Sequence, residues 1–153
     1  AGYHALNSLR IEKAYRHWGH DITDEDDPIQ AGLGFAVAWD KPGGFIGRDA
    51  LAARRGTRST RRLATFILDD PAPLLYHNEP IWRDGVMVGH LTSGMFGHTI
   101  GRAIGLGYVG HADGVDAAFV NGGRYEIEVA CERIPATVTL KPPYDPAGAR
   151  IRV

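Results

Sequence analysis

Glu12 has the setting most suggestive of chemistry. It stands between Ile11 and Lys13, late in a run of helix-forming residues that is otherwise apolar and basic. Two readings are open for it. One is a surface ion pair with Lys13 or Arg16. The other is a carboxylate turned into a pocket, where two oxygens accept hydrogen bonds from a flat heterocycle. The seven histidines invite a metal, but their spacing argues against one. His17 and His20 are three apart without a third ligand at a suitable distance, His77, His90, His98 and His111 are scattered, and neither H-E-x-x-H nor C-x-x-C occurs. Ser93 lies in Thr92-Ser93-Gly94, which is not a nucleophile elbow. Cys131, beside Glu132 and Arg133, reads as an inert, half-buried thiol. The acidic run 24–27 lacks the glycine and terminal glutamate of a calcium loop and reads as a solvated loop. Gly101 to Gly107 has the glycine density of a phosphate loop. A dinucleotide fingerprint, however, needs a helix after it, and here a strand pattern continues past Gly107.

These residues must be positioned by short elements. Residues 3–15 contain no Gly or Pro, and Leu6 and Leu9 are spaced for one helical face. Gly19 ends that pattern. Leu33 to Trp39 is mostly apolar and reads as a buried strand, Pro42-Gly43-Gly44 as a turn, and Ile46 to Arg55 as a second helix closed by Gly56. Beyond Arg62 the period changes to that of strands. Leu63–Leu68 is one. Pro80–Arg83, Asp84-Gly85 and Val86–Leu91 form a hairpin with a type I′ turn. Ala103–Val109, Tyr125–Ala130 and Arg133–Leu140 are further strands, a signature of a small antiparallel barrel or sandwich.

Composition sets the outer limits. The chain has 153 residues with a net charge of −1, so no overall field draws nucleic acid or an anionic membrane to it. No apolar run approaches the roughly 20 residues that span a bilayer. A single cysteine excludes an internal disulfide framework and permits a reducing, cytoplasmic setting. Charge is unevenly spread: −4 over residues 1–40, +6 over 41–62 and −3 over 63–153. The basic middle, with Arg54, Arg55, Arg58, Arg61 and Arg62, reads as a helix end running into a linker. A helical pattern that opens at once behind Ala1 suggests a piece of a longer polypeptide.

Two ordered strings of motifs go further. The first is Asn7-Ser8-Leu9-Arg10-Ile11-Glu12-Lys13, Trp18-Gly19-His20-Asp21-Ile22, Pro28-Ile29-Gln30-Ala31-Gly32-Leu33-Gly34-Phe35 and Phe45-Ile46-Gly47-Arg48-Asp49-Ala50-Leu51. The second is Leu91-Thr92-Ser93-Gly94-Met95-Phe96-Gly97-His98-Thr99-Ile100-Gly101 with Ala103 to Val109. Together they resemble the glycine-cleavage T-protein (aminomethyltransferase) family, over most of the chain. Phe96-Gly97-His98-Thr99 and Arg16-His17-Trp18-Gly19-His20-Asp21 are most similar to the folate-binding region of dimethylglycine and sarcosine dehydrogenases.

The resemblance implies an α+β fold: part of a folate-binding lobe over residues 1–57, then a T-protein-type antiparallel β-barrel over 58–153. It implies tetrahydrofolate as cofactor and 5,10-methylene-tetrahydrofolate as product, with the one-carbon unit drawn from a small amine. FAD would be held in a separate domain, and the partner would be the N-terminal half of the same polypeptide. It matches Glu12 to a glutamate that holds the pterin ring and adds Lys41 and Tyr3 as folate contacts. Lys41 stands near a position where the aminomethyltransferases carry arginine, and it lacks the guanidinium fork. The family's proton-transfer acid is expected upstream, so this segment alone is expected to be catalytically silent. Two alternatives are a glycine-cleavage-type aminomethyltransferase and a non-catalytic folate-binding or scaffold module.

Overall fold

The computed structural model describes residues 2–152. Helix α1 spans Tyr3–Glu12, and after a long loop with one short 3-10 turn (Gly34–Ala36) helix α2 spans Arg48–Arg54. Six strands follow: β1 (Arg61–Leu68), β2 (Pro80–Arg83), β3 (Val86–Gly97), β4 (Arg102–Gly110), β5 (Tyr125–Val129) and β6 (Glu132–Thr139). The five-residue helix α3 (Ala117–Asn121) lies between β4 and β5. All neighbouring strands pair antiparallel, and the order β1-β4-β3-β2-β5-β6 closes on itself. Closure leaves no sheet edge to be protected. Asp84 (φ 51°) and Gly85 (φ 83°) turn β2 into β3, both in the left-handed region that a type I′ hairpin requires. Among the described residues no helix is long and apolar enough to cross a membrane.

β4 shows how the sequence builds two apolar layers at once. Ala103 and Val109 belong to the barrel interior with Phe66, Leu68, Leu91 and Ile127. Ile104 and Leu106 point the other way and pack with Ile11, Ala14 and Leu63. Successive strand side chains alternate between faces, so a strand covered on both sides is apolar throughout, as the run from Ala103 to Val109 is. Gly107 faces inward where the chains crowd: a Cβ there would lie 2.7 Å from the His90 carbonyl oxygen and 2.7 Å from Ile81 Cδ1. Residues 101–107 are therefore a turn end and a strand, with no phosphate loop.

The outer layer is covered by α1, whose buried residues are Asn7, Ser8, Ile11 and Glu12. Leu6 and Leu9 share a face, as their spacing requires, but it is the solvent face: they are 51% and 61% exposed. Polar side chains are buried instead because each finds a partner: the Ser8 hydroxyl donates to the Phe96 carbonyl of the barrel at 2.8 Å, and Asn7 accepts from Arg10 of the same helix at 2.8 Å. The second departure is Leu33–Trp39. This is not a buried strand. The 3-10 turn within it buries none of its residues, and Phe35 is 85% exposed. Apolarity alone does not fix a strand when no neighbouring strand is within reach to pair with it.

Candidate functional site

The Glu12 carboxylate enters the turn that joins β3 to β4. Its Oε1 accepts the Thr99 amide at 2.6 Å and the Ile100 amide at 3.1 Å, while Oε2 accepts the Thr99 hydroxyl at 2.8 Å. The residue is 2% exposed. A buried charge is tolerable only when hydrogen-bonded, and three charge-assisted bonds occupy most of a carboxylate's roughly four acceptor positions. Neither cation weighed for it is its partner. Lys13 Nζ pairs with Asp145 at 3.2 Å, and Arg16 donates to the carbonyls of Ala14 and Ala31. The site also demands Gly97, because a Cβ there would lie 2.4 Å from Ile104 Cδ1 and 3.1 Å from Glu12 Oε1.

Two residues earlier on α1, Arg10 organises a second network. Its Nη1 pairs with Asp21 Oδ2 at 2.7 Å, Nη2 donates to the Ser93 hydroxyl at 2.8 Å, and Nε donates to Asn7 Oδ1 at 2.8 Å. Asp21 is fully buried and accepts two further bonds, from the His17 amide at 2.8 Å and the Thr92 hydroxyl at 2.5 Å. Tyr108 donates its hydroxyl to the Asp21 carbonyl at 3.0 Å. Burial, reinforced by the nearby Asp26 carboxylate, pushes that hydroxyl above its ordinary pKa, so it stays a donor. The network ties α1, the 17–22 loop and β3 into one rigid unit. Sequence reading passes over Arg10, Asp21, Thr92 and Ser93. Asp21 is masked by the acid-rich stretch that follows it, and Ser93 is weighed only as a nucleophile.

That stretch is a solvated loop only in its first half: Asp24 and Glu25 are exposed, whereas Asp26 and Asp27 are engaged. Asp26 pairs with Arg61 and accepts the Thr23 amide at 2.8 Å. Asp27 accepts the amides of Ile29 and Gln30, each at 2.8 Å, and pairs with Arg54 at 2.7 Å. Burial works against the Asp27 charge, but the bonds from Gln30, Arg54 and Ile29 outweigh it and hold the carboxyl below its ordinary pKa. The side chains thus satisfy backbone donors of a loop that has no ladder of its own. Cys131 also departs from expectation. It is exposed rather than half-buried, and sits with Ala130 at positive φ in the β5–β6 turn. Among the described residues no group of three or more His, Cys, Asp or Glu side chains is placed to hold a metal.

Two depressions flank α1 and its loop. A groove of about 700 Å³ runs between the 24–28 segment and α2, with Val37, Ile46 and Leu51 in its lining and Lys41 beside them. A smaller cleft of about 260 Å³ lies between the start of α1, the 17–20 loop, Tyr76-His77 and β3. Lys41 lines the groove and Tyr3 lines the cleft. Glu12 lines neither, and the three expected folate contacts are not brought together in one cavity.

The profile of the family described as Glycine cleavage T-protein C-terminal barrel domain matches residues 61–145, and that of the GCVT N-terminal domain matches residues 1–41. The chain is 46% identical over 152 residues to 4-methylaminobutanoate oxidase (formaldehyde-forming) of Paenarthrobacter nicotinovorans, covering 99% of this chain and 18% of that protein. It is 40% identical to the mitochondrial sarcosine dehydrogenase of Homo sapiens, covering 99% of this chain and 17% of that protein. The chain thus spans less than a fifth of the length of either relative. The crystal structure of glycine cleavage system aminomethyltransferase T from Bartonella henselae superposes with a TM-score of 0.78 at 25% identity, over 93% of this chain and 38% of that one.

Proposed function

The chain belongs to the glycine cleavage T-protein family, and from that premise we propose that it is the C-terminal portion of a tetrahydrofolate-binding one-carbon transferase module. The larger polypeptide in this proposal is a cytoplasmic, flavin-dependent amine dehydrogenase of the sarcosine and dimethylglycine type. It holds FAD in a separate N-terminal half and passes the one-carbon unit to tetrahydrofolate as 5,10-methylene-tetrahydrofolate. The observation that carries the proposal is the likeness, over 99% of the chain, to a 4-methylaminobutanoate oxidase and a sarcosine dehydrogenase.

The residues present suit a folate. The groove beside α2 has the volume of a small-molecule site, an apolar lining in Val37, Ile46 and Leu51 for a flat ring system, and the Lys41 ammonium for a carboxylate; its other wall carries the acids Asp24 to Asp27, of which Asp24 and Glu25 are free to accept N–H groups of the ring. Tyr3, 62% exposed at the start of α1, lines the other cleft, and in this proposal its ring meets only the part of the ligand that reaches beyond the groove. Glu12 takes an indirect part. With both oxygens engaged by Thr99 and Ile100, it is a positioning residue that fixes the β3–β4 turn against α1. Folate then meets an element held in place by Glu12 rather than Glu12 itself.

The test is product partition in the intact polypeptide. With sarcosine, dimethylglycine or 4-methylaminobutanoate as the amine, added tetrahydrofolate is expected to suppress free formaldehyde and yield methylene-tetrahydrofolate in its place. Formaldehyde release that is unchanged by tetrahydrofolate with all three amines would overturn the proposal.

A further inference from the structure

The cleft at the start of α1 holds histidines that the folate reading does not use. Four of the chain's seven histidines, His4, His17, His20 and His77, line it together with Tyr3 and Tyr76. They arrive from three separate segments: α1, the 17–20 loop and the loop leading to β2. Chance clustering along one element does not explain their meeting. The His17 and His20 rings stack with centroids 4.6 Å apart at 23°, and the Tyr3 ring meets His17 edge-on at 6.4 Å.

Among the described residues the cleft lining carries only neutral and basic side chains, with carboxylates behind it and beside it, including a Glu79 Oε2 that is buried without a partner. Below the rim, Arg10 is paired with Asp21, and Asp21 is fully buried behind it. From the loop side Glu79 accepts the Tyr76 amide at 2.8 Å through Oε1. β3 contributes the neutral Thr92 and Ser93. No carboxylate lines the cleft itself. Histidine is the side chain whose ordinary titration falls between pH 5 and 8, so acidification adds only positive charge to this rim. Two stacked imidazoles that both gain a proton repel each other. An anion at the ring edges offsets that repulsion and accepts their N–H bonds, as well as the O–H bonds of the tyrosine hydroxyls.

We propose that this cleft is an oxyanion site: it takes the carboxylate or phosphate group of a small ligand between His17, His20 and His77, more tightly as pH falls. It is separate from the groove beside α2 and does not depend on the folate reading.

The experiment uses the 153-residue chain and histidine side-chain NMR, with signals assigned from single His→Gln variants. Sodium sulfate, whose charge is constant between pH 5 and 8, and sodium acetate at pH 5.5 and above, are the tetrahedral and planar probes. Both are titrated at ionic strength held fixed with chloride. His17, His20 and His77 are expected to shift together and saturably, with a dissociation constant on the order of 1 mM at pH 5.5 and at least tenfold weaker binding at pH 7.5. His90 and His111, elsewhere on the barrel, are expected to stay still. Saturation by sulfate alone assigns a phosphate-like group, and saturation by acetate alone assigns a carboxylate; either supports the site. His20→Gln, an exposed substitution, is expected to weaken binding at least fivefold while leaving the spectrum of the barrel unchanged. Shifts of His17 and His20 no larger than those of His90, or equal affinity at the two pH values, would overturn the proposal.

Discussion

Glu12 and Thr99 are joined by two hydrogen bonds, from the Thr99 amide at 2.6 Å and from its hydroxyl at 2.8 Å, across 87 positions of sequence. One side chain near the end of α1 thereby fixes the turn between the two longest strands of the barrel. The same end of the helix is strapped by the C-terminal tail, where the Tyr144 amide donates to the Glu12 carbonyl at 2.9 Å and Lys13 pairs with Asp145. The helix is held by polar bonds on its buried face and by the tail at its end, while its apolar Leu6 and Leu9 face outward.

Removing either half of this clamp is expected to destabilise the chain. Thr99→Val deletes the hydroxyl donor and keeps the shape, at a cost of roughly 1–1.5 kcal/mol. Glu12→Gln sets an amide NH₂ against donors and is expected to cost more, about 2–3 kcal/mol. At roughly 2–4 °C per kcal/mol for a chain of this size, both shifts are measurable by thermal melting. A Glu12→Gln variant that melts like wild type would show that the clamp carries no stability.

Asp21→Asn leaves the Arg10 guanidinium without its anion at the base of the cleft. Breaking one partner of a buried pair costs about 3–5 kcal/mol, so the urea midpoint is expected to fall well below that of either clamp variant. Arg10→Met together with Asp21→Asn is expected to recover part of the loss, because no uncompensated charge is then buried. A double variant as unstable as the sum of its single changes would argue against coupling.

The Asp27 carboxyl has a folded-state pKa below its unfolded one. Its contribution to stability is therefore complete above the unfolded value, near pH 4, and is lost as pH falls through the folded value. Asp27→Asn is expected to lower the melting temperature at pH 7 by a few degrees, and that difference is expected to shrink as pH falls below the ordinary carboxylate range. The comparison of wild type and variant across pH 2–7 checks both the sign and the window. A difference that persists undiminished at pH 2 would contradict it.

The barrel was legible in the sequence because its signals are local. The Asp84-Gly85 turn and the short apolar runs Leu63–Leu68 and Ala103–Val109 are set by residues within a few positions of one another. The N-terminal segment was less legible for the converse reason. Glu12 finds its partners at Thr99 and Ile100, Asp21 at Arg10 and Thr92, and Asp26 at Arg61. Each polar side chain is explained only by a residue that the fold delivers from elsewhere. The same holds for Leu33–Trp39, whose composition favours a strand but which has no strand beside it. The helix from Tyr3 was visible; which of its faces is buried was not, because the barrel presents carbonyls and hydroxyls to it as well as apolar side chains.

The folate assignment is the central claim, and titration of the intact polypeptide with 5-formyltetrahydrofolate tests it most directly. The wild type is expected to bind saturably, and Lys41→Ala and Tyr3→Ala are each expected to weaken binding by about tenfold, the equivalent of roughly 1.4 kcal/mol for one lost polar or stacking contact. Cys131→Ser, at the exposed β5–β6 turn, is expected to bind as wild type does. Absence of saturable binding, or affinities for the Lys41 and Tyr3 variants equal to that of Cys131→Ser, would contradict the account.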